Sequence, residues 1–255
     1  MAMRPYILAE TNYRAIQEKP IELAILPWGA TEAHNYHLPY GTDVYEADHI
    51  MAEAARLAWE QGANVMVLPT VPFGVNTGQS DILLDLNIYP STQLLILNDL
   101  VEVLHRQGIR KLLIFNSHGG NDFKPLIREI GRRYPDMFIS LCFWFTVLNR
   151  SAYFEEKGDH ADELETSVMQ YLRPDLVQPL SEAGDGAAKR WKIKGMDEGW
   201  AWAERQWSKV TADTGIGNPY SATPEKGERF FKDLTQKVST LLVDLAKADT
   251  DDLYE

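Results

Sequence analysis

The sequence predicts an α/β protein built as a three-layer α-β-α sandwich around a mainly parallel central sheet. Four short apolar or β-branched runs read as buried strands. Longer segments between them carry apolar residues at three- and four-residue spacing, and the two kinds alternate as β-α-β-α-β-α-β.

The strand candidates are "IELAILP" (21–27), "ANVMVLPTV" (63–71), "KLLIFNS" (111–117) and "MFISLCFWF" (137–145). Each is apolar throughout rather than alternating, as a strand covered on both faces requires. The helix candidates are "VYEADHIMAEAARLAWEQG", "STQLLILNDLVEVLHRQG" and "DFKPLIREIGRRYP", each with one apolar face and each ending near a Gly or Pro. Beyond residue 150 the pattern loosens. "DHADELETSVMQYLRPDLV" reads as a helix closed by Pro174, and residues 178–224, rich in Gly, Trp and charge, read as loop and flap. A last helix starts at "TPEKGERFF", with Thr223 as N-cap and Pro224 in the first turn. Its 255 residues fit one large domain, expected to span residues 1–255.

Hydrophobic residues make up 45% of the chain and charged residues 24%, which argues against disorder. A formal charge of -12 disfavours nucleic acid and anionic membranes as partners and leaves small molecules. The single cysteine, Cys142, the polar opening residues and the lack of a long apolar stretch lead us to expect a cytoplasmic protein.

In parallel α/β sheets the loops leaving the carboxyl ends of strands converge on one rim, where ligands bind. Three polar clusters fall near such positions. The loop after the first strand carries Glu32, His34, His37 and Asp43; the loop after the third carries Asn116, His118, Asn121 and Asp122; "GDHADELE" carries Asp159, His160, Glu163 and Glu165. Four of the six histidines lie here. Imidazole with carboxylate suits Zn²⁺, Mn²⁺ or Fe²⁺, and the absence of nearby cysteine excludes a closed thiolate zinc site. Asp43 is the candidate carboxylate to bridge two ions. The blander readings are a capping or surface role for His160 and a first-turn, dipole-favoured role for Glu165. His49 and His105 sit inside helical patterns and read as ordinary structural residues.

At these positions the chain resembles the creatininase family of metal-dependent amidohydrolases. "LPWGATEAHNYHLPYGTD" is similar to the family's first metal segment, "LLIFNSHGGN" to its N-x-H-G-G-N signature, "DHADELETSVMQYLRPDLV" to its H-A-x-x-x-E-T-S segment and "GNPYSATPEKGE" to a late glycine-containing stretch. The resemblance implies a creatininase-like sandwich and two divalent metal ions, zinc being favoured and manganese or iron the alternatives. Glu32 and His118 would hold one ion, His34 the other, with Asp43 between them. Creatininase has a further ligating glutamate two residues after the histidine matching His118; here that place is Gly120, and Glu165 is the candidate replacement and, with His160, a candidate catalytic residue. His160 would accept and pass protons at the scissile C–N bond. His37, Asn121, Trp144 and Asp159 are expected to support the ligands or touch substrate, Trp144 by its match to a pocket tryptophan. The resemblance also implies a homo-oligomer, often a hexamer.

Two departures bear on substrate. The region after the second strand reads "NTGQSDILLDLNIYPST", without the family's histidine and F-P-G-T, and "FEEKGDH" lacks a tryptophan found in creatininase. The expected activity is therefore hydrolysis of a small cyclic or linear amide other than creatinine. The alternatives are a formamide deformylase, a peptidase-like relative, or a metal-binding sensor on the same scaffold. Trp191, Trp200, Trp202 and Trp207 read as flap residues or, by preference, as interface or core packing. No glycine-rich phosphate loop follows the first strand, which removes a nucleotide-binding reading.

Overall fold

The computed structural model describes residues 3–255. Its central sheet has the order β2-β1-β3-β4, with β1 at Leu23–Trp28, β2 at Val65–Val67, β3 at Lys111–Asn116 and β4 at Phe138–Phe143. Every pairing in it is parallel. Successive residues of each strand feed opposite cores. Leu23, Ile25, Leu113 and Phe115 enter one apolar cluster; Ala24, Leu26, Leu112 and Ile114 enter the other. That two-sided burial explains why the strands look continuously apolar.

A short helix, α1 (Tyr13–Gln17), precedes the sheet. One face is covered by α2 (Thr42–Glu60), α5 (Glu163–Leu172) and α8 (Pro224–Lys247), and the other by α3 (Pro90–Arg106) and α4 (Phe123–Arg133). The three-layer sandwich is thus the observed architecture. The turns after α2 and α3 use Gly62 at φ 86° and Gly108 at φ 83°, left-handed positions that favour glycine. Thr223 caps α8 by accepting from the Lys226 amide, with Pro224 in the first turn. Gly227 lets α5 and α8 meet closely, since a Cβ there would lie 1.9 Å from the Ser167 carbonyl oxygen.

Two segments differ from the sequence expectation. The run 63–71 forms only a three-residue strand, because Pro69 interrupts it and proline donates no ladder hydrogen bond. "GDH" is not the start of a helix: Gly158–His160 is β5, paired antiparallel with β6 (Ile216–Gly217). The helix begins three residues later, where Asp162 accepts from the amides of Leu164 and Glu165.

The flap region contains two one-turn helices, α6 (Lys194–Asp197) and α7 (Trp207–Val210). Its base is pinned by a bridge between Ala188 and Thr211 and by the Lys189 amide donating to the Val210 carbonyl at 2.8 Å. Among the described residues no helix is long and apolar enough to cross a membrane.

Candidate metal centre

Chain order in the sheet reverses at β1, which has β2 on one side and β3 on the other. At such a switch point neighbouring loops diverge and leave a crevice at the carboxyl ends. Trp28, at the end of β1, is level with Asn116, at the end of β3, so the loops carrying Glu32 and His34 and carrying His118 start side by side. Asp43 enters from the first turn of α2, and Glu165 from the first turn of α5.

These groups converge. Asp43 spans the two imidazoles, with Oδ1 3.1 Å from His34 Nε2 and Oδ2 3.1 Å from His118 Nδ1. Glu32 Oε1 lies 2.9 Å from His118 Nδ1, and Glu165 Oε2 lies 4.0 Å from His34 Nε2. Glu32, Asp43 and His118 form one set whose ligand atoms lie within 4.8 Å of one another; His34, Asp43 and Glu165 form a second; Glu32, His34 and His160 form a third. All but Glu165, which is slightly exposed, are buried.

Backbone contacts aim the rings. His34 Nδ1 donates to the Glu32 carbonyl at 3.0 Å, which leaves the Nε2 lone pair facing Asp43. His118 Nε2 donates to the Val75 carbonyl at 3.1 Å, which frees Nδ1. His160 Nε2 donates to the Ala33 carbonyl at 2.8 Å, which frees Nδ1, 3.8 Å from Glu32 Oε1. Those tautomers follow from the partners, since a carbonyl oxygen only accepts. The next residue, Ala161, has φ 50°, a left-handed conformation costly for a residue with a Cβ. It turns the chain so that the Ala161 amide donates to Glu165.

The electrostatics match a cation site occupied by protons. Burial alone would raise Glu32, yet the neighbouring His118 charge and its bond to this carboxyl outweigh it and hold the carboxyl well below its usual range. Burial is likewise outweighed at His34, where Asp43 raises the imidazole to about 10, and at His118, which Glu32 and Asp43 hold well above its ordinary value. Burial raises Glu165 to about 8, opposed by His34. His34 and His118 thus carry a second proton, on Nε2 and Nδ1 respectively, each pointing at a carboxylate oxygen, where a divalent ion would replace it.

The remaining expected residues fall in different places. Asn121 accepts from the Val75 amide at 3.1 Å and donates to Asn116 at 2.9 Å, so it braces the loop that holds His118. His37 meets Thr166 Oγ1 at 2.8 Å, behind the ligand loop. Asp122 caps α4 by accepting from the Lys124 amide. Asp159 sits at the rim, half-exposed and paired with Arg205 at 2.6 Å. Trp144, expected to support the ligands or touch substrate, is fully buried in the core and donates to Ser117 Oγ at 2.9 Å. It lies at the sheet end where β4 passes under Ser117, so its indole braces the residue before His118. His49 and His105 serve local contacts, to the Tyr45 carbonyl and Asp136.

The flap tryptophans take the first of the two places expected for them. Trp191, Trp202 and Trp207 line the cavity over the site. Trp207 stands edge-on to His160 at 4.8 Å between ring centroids. The cavity has a volume of about 1200 Å³.

Two contributors escaped the sequence reading. Gln79 donates to Glu32, from the very segment that departs from the family pattern. Glu46, one turn after Asp43 in α2, is fully buried with neither carboxylate oxygen hydrogen-bonded. Its position three residues beyond Asp43 was the one available signal, since i and i+3 share a helix face.

A family model described as Creatininase, creatinine amidohydrolase, matches residues 9–242. A Bacteroides fragilis protein of solved structure, provisionally named a creatinine amidohydrolase, is 45% identical over 99% of this chain and 100% of its own, with a TM-score of 0.92. A mutant creatininase complexed with creatine, at 19% identity, covers 95% of this chain and 99% of its own with a TM-score of 0.78. A manganese form of creatininase, also at 19% identity and with the same coverage, gives 0.79, and both likenesses speak to the fold. No curated protein matches the chain significantly. With the family model spanning nearly the whole sequence, the metal-type clusters at the sheet's switch point belong to an amidohydrolase scaffold, and the chain is a member of the creatininase family.

Proposed function

We propose that this protein is a metal-dependent hydrolase that cleaves the C–N bond of a small cyclic or linear amide other than creatinine, using two divalent ions. The observation that carries the proposal is Asp43, whose two carboxylate oxygens each face a different imidazole while Glu32 and Glu165 complete the two sets. The donor set is oxygen and imidazole nitrogen, which fits zinc first and manganese or iron as alternatives. Asp43 Oδ2 and the orphaned Glu46 oxygens are buried acceptors of the kind a cation nearby would stabilise.

Bound there, the ions would supply Lewis acidity, easing deprotonation of water and offsetting charge on the amide oxygen. The chain supplies the proton path. His160 is held by Ala33 with Nδ1 free toward the site, and burial lowers its proton affinity, so its resting state is neutral. Nδ1 would take a proton from the water that adds to the carbonyl carbon and deliver it to the nitrogen as the C–N bond breaks, giving a carboxylic acid and an amine. A cavity of about 1200 Å³ exceeds the roughly 300–1,000 Å³ common for small-ligand sites, which supports a substrate larger than creatinine.

The test is elemental analysis of the purified protein and of Asp43→Ala, with a panel of formamides, lactams and creatinine assayed in Zn²⁺, Mn²⁺ or Fe²⁺. Two ions per wild-type chain, loss of metal in Asp43→Ala and turnover of a non-creatinine amide are expected. Full metal content in Asp43→Ala would remove the bridge on which the reading stands.

A further inference from the structure

Next to the cavity over the candidate metal centre lies a second, more open one, of about 640 Å³, formed by the flap. Trp191, Met196 and Arg205 line both, so the two share a wall. Their charges are opposite. The inner cavity gathers Glu32, Asp43 and Glu165, while the outer one is lined by Lys189, Arg190, Lys192, Arg205 and Lys209 against a single carboxylate, Asp197. In a chain of net charge -12 this concentration of cations runs against the average surface. Asp197 is already bonded to Arg190, and Arg205 to Asp159. Lys209 Nζ has only the neutral Gln206 side chain at 2.5 Å. Among the described residues neither Lys189 nor Lys192 has a carboxylate within ion-pair distance.

A line of groups connects the chemistry to this cavity. Trp207 packs edge-on against His160 at 4.8 Å, and the Arg205 guanidinium lies over the Trp207 ring at 5.6 Å. Beyond Arg205 the outer cavity opens. From the scissile bond outward, a ligand would meet an imidazole, an indole and then cations.

We propose that the flap's outer cavity is a subsite for an anionic group, phosphate or carboxylate, carried by the substrate at the end opposite its scissile amide, with a planar or apolar portion against Trp207. The assignment of the scissile end rests on the amidohydrolase reading above; the anion subsite rests on the flap alone. Unpaired ammonium groups beside an apolar wall favour a charged terminus joined to a flat body.

The zinc-loaded protein would be titrated calorimetrically with phenyl phosphate, phenylacetate and neutral benzamide, alongside Lys189→Glu/Lys192→Glu. Both lysines are exposed, so the double variant is expected to fold as wild type. Capture of anions by zinc is common to both proteins and cancels in the comparison. We expect at least one anion to bind the double variant about ten-fold or more weakly, as reversal of two charges at a subsite implies, with benzamide unchanged. Preference for phenyl phosphate would assign a phosphorylated substrate, and preference for phenylacetate a carboxylated one. Equal anion affinity in both proteins, or wild type binding the anions no better than benzamide, would overturn the proposal. Absence of hydrolysis in the amide panel, with the anion difference intact, would instead remove the reaction and leave the subsite.

Discussion

Glu46 offers a test of the site's electrostatics that does not depend on knowing the substrate. Its side chain is fully buried, neither oxygen has a hydrogen-bond partner, and three other acids stand near it. Burial, then the charges of Glu165, Asp43 and Asp162, push its proton affinity well above the ordinary 4.5. The native state therefore keeps this proton at a pH where the unfolded chain has lost it. Stability from this group is full below about pH 4.5 and falls as pH rises, until the raised native value is passed. For one proton the slope is about 1.4 kcal/mol per pH unit. Glu46→Gln keeps the shape and cannot ionise. Urea unfolding of the metal-free proteins at pH 5, 6 and 7 should show the variant gaining on wild type by up to roughly 1.4 kcal/mol per unit. Loading with zinc should flatten the difference, because nearby cations favour the ionised carboxylate. Parallel stability curves in the metal-free proteins would refute the argument.

Three further outcomes follow from the geometry. Zinc uptake by the metal-free protein near pH 7.5 should release protons from His34, held at about 10, and from His118; calorimetry in buffers of different ionisation enthalpy would count them, and affinity should tighten about ten-fold per pH unit for each proton displaced. His160→Asn should lower kcat by roughly 10²–10⁴ while metal content holds, as expected for a proton carrier outside the two Asp43-containing sets; metal loss in this variant would make His160 a ligand instead. Gly227→Ala should destabilise by roughly 1–3 kcal/mol or more, because its Cβ would meet the Ser167 carbonyl at 1.9 Å, whereas Gly131→Ala on α4, with open space around it, should be neutral or stabilising in thermal melts.

The layered fold was legible because its strands are apolar on both faces and its helices on one. The alternation at Ala24, Ile25 and Leu26 between two cores leaves no other reading. The loops of the candidate site were legible for a related reason: polar groups clustered just past apolar runs have to emerge at the carboxyl rim. What the sequence hid is long-range or three-dimensional. Gln79 reaches Glu32 across 47 positions, and no local pattern announces that. Trp207 and Trp144 are both tryptophans near site segments, yet one faces His160 and the other supports the core. Residue type alone does not separate them, because the distinction depends on whether the surrounding element has a core in which to bury the ring.

On the two-ion reading proposed above, Gly120 and Glu165 would be alternative sources of one carboxylate. A Cβ at that position would lie 2.3 Å from the Val75 carbonyl oxygen and 2.5 Å from His118 Nε2, so a side chain there would displace the ring it is meant to assist. Glutamate at 120 is therefore incompatible with this loop as it is packed. On that reading the carboxylate would come from the first turn of α5, where the left-handed Ala161 and the Asp162 cap set the helix so that Glu165 lies 4.0 Å from His34. In this argument the carboxylate and the loop are coupled: Gly120→Glu should not add a ligand but expel His118, and Glu165→Gln should weaken only the ion held by His34. Metal analysis giving two ions for Gly120→Glu, or no loss for Glu165→Gln, would show that the two segments are not alternatives.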